Sequence, residues 1–297
     1  MTDLVLSHTI DDVRTRILEL RHELRAADDT PPRVVLVPTM GALHAGHLAL
    51  IRRATELGEI VVVSIFVNPL QFGEDADLQA YPRTLDADLA LLRAADVAVV
   101  FAPNADEMYP AGEATTRITG GAVSNRLEGR SRRGHFDGVL TVVAKLFAIV
   151  APDVAVFGRK DAQQAFLVSR MVADLNLPIE VVAVDTVRED DGLAMSSRNR
   201  RLSPRERDAA RSLYRALEAA VSSADGGVDS AVAAAQSALA GEALVTLDYV
   251  AIVEPSTFAP VGDDYRGPVV ILIAAMVGET RLIDNESAYL GQPSSVG

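Results

Sequence analysis

The segment Pro38-Thr39-Met40-Gly41-Ala42-Leu43-His44-Ala45-Gly46-His47 sets two imidazoles three residues apart, in a chain with only five histidines. It leaves an apolar run, Val34–Val37, and enters a helical pattern from Gly46 to Leu57. A helix start offers unpaired backbone N–H groups and a partial positive charge, both suited to an anion. Gly41 and Gly46 let the backbone come close to it. The imidazoles add donors, so the stretch reads as a phosphate site. The plainer reading, two surface histidines on a turn, is weakened by the strand-to-helix position.

Three further clusters carry candidate chemistry. In "FGRKDAQQ", Phe157–Gln164, Lys160 can neutralise a phosphate, Asp161 can accept from ribose hydroxyls and Gln164 can bond a polar substrate; a charged helix start capped by Asp161 is the plain alternative. In "GLAMSSRN", Gly192–Asn199, two hydroxyls and a guanidinium suit a polyphosphate grip, against an ordinary linker. In "SIFVNPLQF", Ser64–Phe72, Asn68 and Gln71 follow a strand, although Asn-Pro is also a common turn. "GRSRRGH", Gly129–His135, imitates a P-loop in its glycine spacing, but His135 stands where lysine is required, and no G-x-G-x-x-G follows Val37. P-loop and dehydrogenase chemistry are therefore poorly supported.

The elements that must position these clusters follow from periodicity. Strands are expected at Val34–Val37, Ile60–Val67, Val97–Phe101, Val154–Phe157 and Ile179–Val184, and helices at Gly46–Leu57, Asp86–Ala95, Val139–Val150 and Ala162–Leu175. Such alternation implies βαβ units and a parallel sheet. Three clusters then fall at strand C-terminal ends, where open α/β sheets bind ligands, and the fourth at a domain junction. After about Thr186 the rhythm changes. Ser203-Pro204-Arg205-Glu206 is a helix start of capping-box form, and the helix should run on through Leu213, Leu217 and Ala220. A helix at Ala231–Ala240 and strands at Leu247–Val253, Val269–Ala275 and Thr280–Ile283 complete the chain. The expected architecture is a Rossmann-like parallel-sheet domain, 1–186, followed by a smaller α+β domain with antiparallel strands, 187–297.

Bulk composition sets limits. The 297 residues are 49% hydrophobic, enough for a sizeable core. The formal net charge is −13, with 28 basic and 41 acidic residues, which argues against a general nucleic-acid or anionic-membrane binder. The absence of cysteine rules out disulfides, thiolate zinc sites and cysteine nucleophiles, and fits the cytoplasm. No basic n-region followed by an apolar run opens the chain, and no run approaches the ~20 apolar residues of a membrane span.

The four clusters, taken in order with "HFDGVLTVVAKLF" and the C-terminal "TRLIDN", resemble the pantoate–β-alanine ligases over almost the whole chain. His44-Ala45-Gly46-His47 is similar to the HxGH signature of the nucleotidyltransferase superfamily that contains them, and Met195-Ser196-Ser197-Arg198 to its mobile lysine/serine loop. The resemblance implies the fold type just described and a two-step reaction. The carboxylate of (R)-pantoate attacks the α-phosphorus of ATP to give pantoyl adenylate and pyrophosphate, and the amine of β-alanine then displaces AMP. It implies that His44 and His47 contact the triphosphate, with His47 a proton donor, and that Lys160, Ser196, Ser197 and Arg198 complete the grip. Met40–His47 (with Gly41, Ala42, Leu43, Ala45 and Gly46), Gly158, Arg159 and Asp161 would line ATP, and Val187 and Met195 would frame adenine. Pro38, Gln71 and Gln164 would hold pantoate and β-alanine. Mg²⁺ would accompany ATP, held mainly by phosphate oxygens and water, with Asp88 as the one candidate protein ligand; no flavin, NAD or zinc is implied, and a homodimer is.

Three positions depart from the family pattern: Arg159 for Glu, Ala162 for Asp or Tyr, and Arg133 for Pro. The acidic pair that relatives offer near magnesium is here Asp86-Ala87-Asp88. Two other readings stay open. One is a superfamily nucleotidyltransferase with a different acceptor, releasing pyrophosphate but no AMP. The other is a non-catalytic nucleotide-binding module. A tRNA-charging enzyme is disfavoured by the acidic charge and the want of an RNA-binding domain.

Overall fold

The computed structural model describes residues 4–25, 30–73, 78–112 and 114–291. The ends of the two expected domains, residues 1–3 and 292–297, lie outside them. The chain groups into two compact units, one of residues 1–159 and 163–185, the other of residues 160–162 and 186–297.

The first unit is built on a six-stranded parallel sheet: β1 (Val5–Ser7), β2 (Val34–Thr39), β3 (Ile60–Ile65), β4 (Val99–Phe101), β5 (Val154–Gly158) and β6 (Glu180–Val184), in the order β1-β4-β3-β2-β5-β6. Its central strands are apolar on both faces because helices cover both. Val34 and Leu36 face α1 (Ile10–Glu23), α4 (His135–Val150) and α5 (Ala162–Asp174); Val35 and Val37 face α2 (Ala45–Leu57) and α3 (Leu85–Ala94). The chain runs β2, β3, β4 in one direction, then returns to place β5 on the other side of β2, with Val35 opposite Val154. The order therefore reverses between β2 and β5, and the crevice beyond their C-terminal ends is the site such sheets reserve for ligands.

The second unit pairs β7 (Val245–Val253), β8 (Gly267–Val277) and β9 (Thr280–Leu290) as an antiparallel sheet in the order β7-β8-β9. Against it pack α6 (Pro204–Ala210), α7 (Ser212–Ser222) and α8 (Val228–Leu239), with Leu213, Leu217, Ala231 and Ala235 meeting Ile271 and Ile273.

Several elements differ from expectation. Ser203 and Glu206 do form a reciprocal capping box, but the helix breaks at Arg211. The Ser212 hydroxyl donates to Ala209 O at 2.6 Å, a local bond that competes with the helical ladder. β1 and α1 were not legible: the core positions Val13, Ile17 and Leu20 are diluted by charges. β9 runs to Leu290 rather than Ile283, its added length alternating with exposed polar side chains.

Candidate functional site

The Pro38–His47 stretch forms the turn from β2 into α2. Gly41 and Ala42 both have positive φ, +78° and +51°, so the chain doubles back sharply. A Cβ on Gly41 would sit 3.0 Å from Asp88 Oδ2 and 3.1 Å from Ile65, and glycine avoids both the contact and the strain. The turn is fixed from α3. Asp88, 2% exposed, accepts from Ala42 N at 3.0 Å, Leu43 N at 2.8 Å and the Thr84 hydroxyl at 3.1 Å. Both carboxylate oxygens are thus engaged in holding the loop backbone, a role beyond the expected contact with magnesium.

The two histidines cap α2 together. His44 is the N-cap, its Nδ1 accepting from Gly46 N at 3.1 Å, while His47 at N3 accepts the His44 N–H on its own Nδ1 at 3.3 Å. The ring centroids are 4.1 Å apart. With both Nδ1 atoms accepting, a neutral ring carries its proton on Nε2. Burial and then the neighbouring His44 lower the His47 pKa to about 3, so this imidazole is neutral near pH 7. It can donate a hydrogen bond to an anion without bearing charge, a narrower role than that of an ionised proton donor.

Beyond β3, Asn68 opens a short 3₁₀ turn, Pro69–Gln71. Asn68 is 1% exposed and fully committed. Its Oδ1 accepts from the Tyr109 hydroxyl at 2.8 Å, and its Nδ2 donates to Gln71 Oε1 and to Gly138 O, each at 3.1 Å. Burial raises the Tyr109 pKa to about 12, against a smaller opposite pull from Arg117, so the hydroxyl remains a donor. Because the Gln71 carbonyl oxygen is taken by Asn68, its Nε2 points the other way, 3.1 Å from Met40 Sδ. The turn lies against the start of α4, where a Cβ on Gly138 would be 2.3 Å from Leu70 O. His135 completes the clamp. Arginine can only donate, so His135 Nε2 accepts from Arg132 at 3.0 Å and its Nδ1–H donates to Gln71 O at 2.9 Å.

Gly158 ends β5, beside β2 in the sheet, and Gln164 lies in the first turn of α5. Its neighbour Gln163 is structural, bonding Glu128 N, Val123 O and Arg126 O. Arg159 pairs with Asp185 at 2.7 Å with both side chains exposed, and Arg133 is exposed.

The remaining expected residues belong to the second unit. Lys160 and Asp161 group with it. Val187 and Met195 close a narrow hairpin through Met195 N donating to Val187 O at 2.9 Å, with Arg188 opposite Ala194. Ser196 caps the 3₁₀ segment Ser197–Arg201, its Oγ accepting from Arg198 N at 3.2 Å. Asn199 ties this segment back to Ala194 O and Glu189, both at 3.1 Å.

Sequence reasoning missed Asp88 as a loop clamp, Tyr109 behind Asn68, and His135 with Arg132 behind Gln71. A signal existed for His135, a scarce histidine beside a glycine in the "HFDGV" block. For Asp88 and Tyr109 there was none, since their partners lie 46 and 41 positions away. Among the described residues no group of three or more His, Cys, Asp or Glu could hold a metal ion, and no helix is long and apolar enough to cross a membrane.

Comparison with known proteins adds an independent line. Residues 8–287 match the family model described as pantoate-beta-alanine ligase. The chain is 62% identical over 266 residues to the pantothenate synthetase of Leifsonia xyli subsp. xyli, covering 89% of this chain and 92% of that one. It is 50% identical to that of Thermobifida fusca, covering 96% and 98%. Among solved structures, pantothenate synthetase from Thermus thermophilus superposes with a TM-score of 0.86 at 46% identity, over 96% of this chain and 99% of the other. A pantoate-beta-alanine ligase from Francisella tularensis, complexed with beta-gamma ATP and beta-alanine, gives 0.76 at 32% identity over 95% and 97%.

Proposed function

The chain belongs to the pantoate-beta-alanine ligase family, and from that premise we propose how its own residues divide the ATP-dependent joining of pantoate to β-alanine. In the first step a pantoate carboxylate oxygen bonds to the α-phosphorus and the bond to the bridging oxygen of the β-phosphate breaks, releasing pyrophosphate. In the second, the β-alanine nitrogen bonds to the activated carbonyl carbon, the acyl–oxygen bond breaks, AMP leaves and the nitrogen gives up a proton. The chemistry asks for positioning and for charge stabilisation on phosphate oxygens.

His44 and His47 supply that stabilisation as neutral Nε2–H donors at the start of α2, next to the helix's free N–H groups. The observation that carries this assignment is the reciprocal bonding of both Nδ1 atoms, which leaves Nε2 as the donor of each neutral ring. Lys160, Ser196, Ser197 and Arg198 add charge and donors to the triphosphate. Met40–His47, Gly158, Arg159 and Asp161 line the nucleotide, and Val187 and Met195 frame its base. Pro38, Gln71 and Gln164 bind pantoate, with Gln71 presenting Nε2 as donor, and Gln71 also meets β-alanine. Mg²⁺ bound with ATP would supply charge neutralisation on the phosphates. Asp88, the expected protein ligand, would have to serve it beside the three donors already bonded to its oxygens. The enzyme acts in the cytoplasm as a homodimer.

The test is AMP release from ATP and pantoate, first with β-alanine omitted and then added. Sustained AMP release should require both acids. Sustained AMP release without β-alanine, or a nucleotidylated product that persists once β-alanine is added, would overturn the assignment. Size-exclusion chromatography with light scattering tests the dimer.

A further inference from the structure

The C-terminal block Thr280–Asn285 has no part in the reaction as assigned above, yet it buries Asp284 and Asn285 side by side in an edge strand. Asp284 is 4% exposed and Asn285 8%. They stand opposite Ile273 and Leu272 of β8. The ladder asks nothing of their side chains, and an apolar pair would be easier to bury. Their polar groups turn instead to two segments assigned to ATP. Asn285 Nδ2 donates to Lys160 O at 2.8 Å. Asp284 accepts from Arg188 on Oδ2 at 2.6 Å and from Asn285 N on Oδ1 at 2.8 Å. Burial pushes the Asp284 carboxyl up, opposed by Arg188 and by the Lys160 ammonium, which acts on the same carboxylate. Arg188, stacked 4.1 Å from the Tyr214 ring centroid, also reaches Gly192 O at 3.3 Å, at the tip of the hairpin that leads into Ser196–Arg198. All of these residues lie within the second unit.

We propose that Asp284 and Asn285 are positioning residues for the reaction, Asn285 holding Lys160 by its backbone carbonyl and Asp284 holding the Val187–Met195 hairpin by Arg188. The inference rests on Lys160 acting on the triphosphate. Its weight follows from Coulomb's law: letting a cation drift from about 3 to about 4 Å from a phosphate oxygen, at an effective dielectric of about 20, costs roughly a factor of ten in rate.

The test is a double-mutant cycle on AMP release at saturating substrates, with wild type, Asn285→Ala, Lys160→Ala and the double variant. Asn285→Ala should lower kcat about tenfold, leave KM for β-alanine within about twofold, and have no further effect when Lys160 is already alanine. Multiplying losses would overturn the inference, because they would place Asn285 on a separate path. Lys160→Ala at wild-type turnover would instead overturn the reading of Lys160 itself, and the single variant reveals that alone. Asn285→Ser, which keeps a donor, should recover part of the loss. A serine variant no better than alanine would mark the effect as packing and also overturn the proposal. Asn285→Leu, close in shape and without a donor, runs through the same cycle should Asn285→Ala fail to fold, with the same two outcomes.

Discussion

Replacing Asp88 with asparagine changes almost no volume but removes one of the two acceptor oxygens that hold the turn from β2 into α2. The carboxylate accepts three bonds, from Ala42 N, Leu43 N and the Thr84 hydroxyl. An amide oxygen can keep those on one side; the other side then faces an NH₂ group. If Oδ1 keeps its partner, the Ala42 N–H and the Thr84 hydroxyl lose theirs. A buried donor left without a partner costs about 1–3 kcal/mol, and the hydroxyl can rotate to find another. The same bonds hold Ala42 at φ +51°, a left-handed conformation costing a non-glycine residue roughly 1–2 kcal/mol. That strain is common to both proteins and adds nothing to the difference, so the variant should lose about 1–3 kcal/mol of local stability. Urea titration by far-UV circular dichroism measures the global part, and calorimetric ATP titration measures loop opening as a weaker Kd. Because a loosened loop must be reordered by the nucleotide, the two losses should appear together. An unchanged urea midpoint with unchanged ATP affinity would refute the clamp. So would normal stability with a shifted Mg²⁺ requirement, which would make Asp88 chiefly a metal ligand.

Further outcomes follow from the same geometry. His47 has a folded pKa of about 3 against an ordinary 6.5, so the unfolded chain binds its proton first. Its contribution is whole above about pH 6.5 and is lost as pH falls toward 3, at roughly 1.4 kcal/mol per pH unit. His47→Asn should lose less stability than wild type between pH 7 and 5, measured by urea midpoints; parallel curves would count against a neutral His47. Gly138→Ala forces a methyl group against Leu70 O and should cost roughly 1–3 kcal/mol while raising KM for pantoate, because the displaced turn carries Gln71. A stable variant with unchanged KM would show that the turn does not set Gln71. Arg159→Ala removes an ion pair whose side chains are 55% and 85% exposed, and its thermal midpoint should move by no more than an exposed pair's ~1 kcal/mol allows.

The parallel core was legible in sequence because strands buried on both faces become continuous apolar runs, and Val34–Val37, Ile60–Ile65 and Val154–Phe157 are such runs. Elements buried on one side were harder. α1 shows the core only Val13, Ile17 and Leu20, and the outer half of β9 alternates with polar residues. The break at Arg211 involves neither glycine nor proline; it comes with a serine hydroxyl bonding back to Ala209. At the site, local motifs were readable because a strand exit and a helix start are neighbours in sequence. What fixes those motifs was not. Asp88, Tyr109 and His135 act through partners far along the chain, and a carboxylate in a sequence reads equally as a metal ligand or as an acceptor for backbone N–H groups.

An ordinary capping box closes with a glutamate, whose negative charge satisfies the helix's positive end for the life of the fold. In α2 the same two positions are filled by imidazoles, and no acidic residue occupies the first turn. The cap satisfies hydrogen bonds without adding charge, and the nearby Asp88 carboxylate meets Ala42 N and Leu43 N rather than the helix's first N–H groups, so the helix end keeps part of a positive potential that a polyphosphate can neutralise. A carboxylate at position 47 would make the resting molecule sturdier and the guest unwelcome. On the proposed reading, part of the affinity for nucleotide is held as stability the free enzyme lacks.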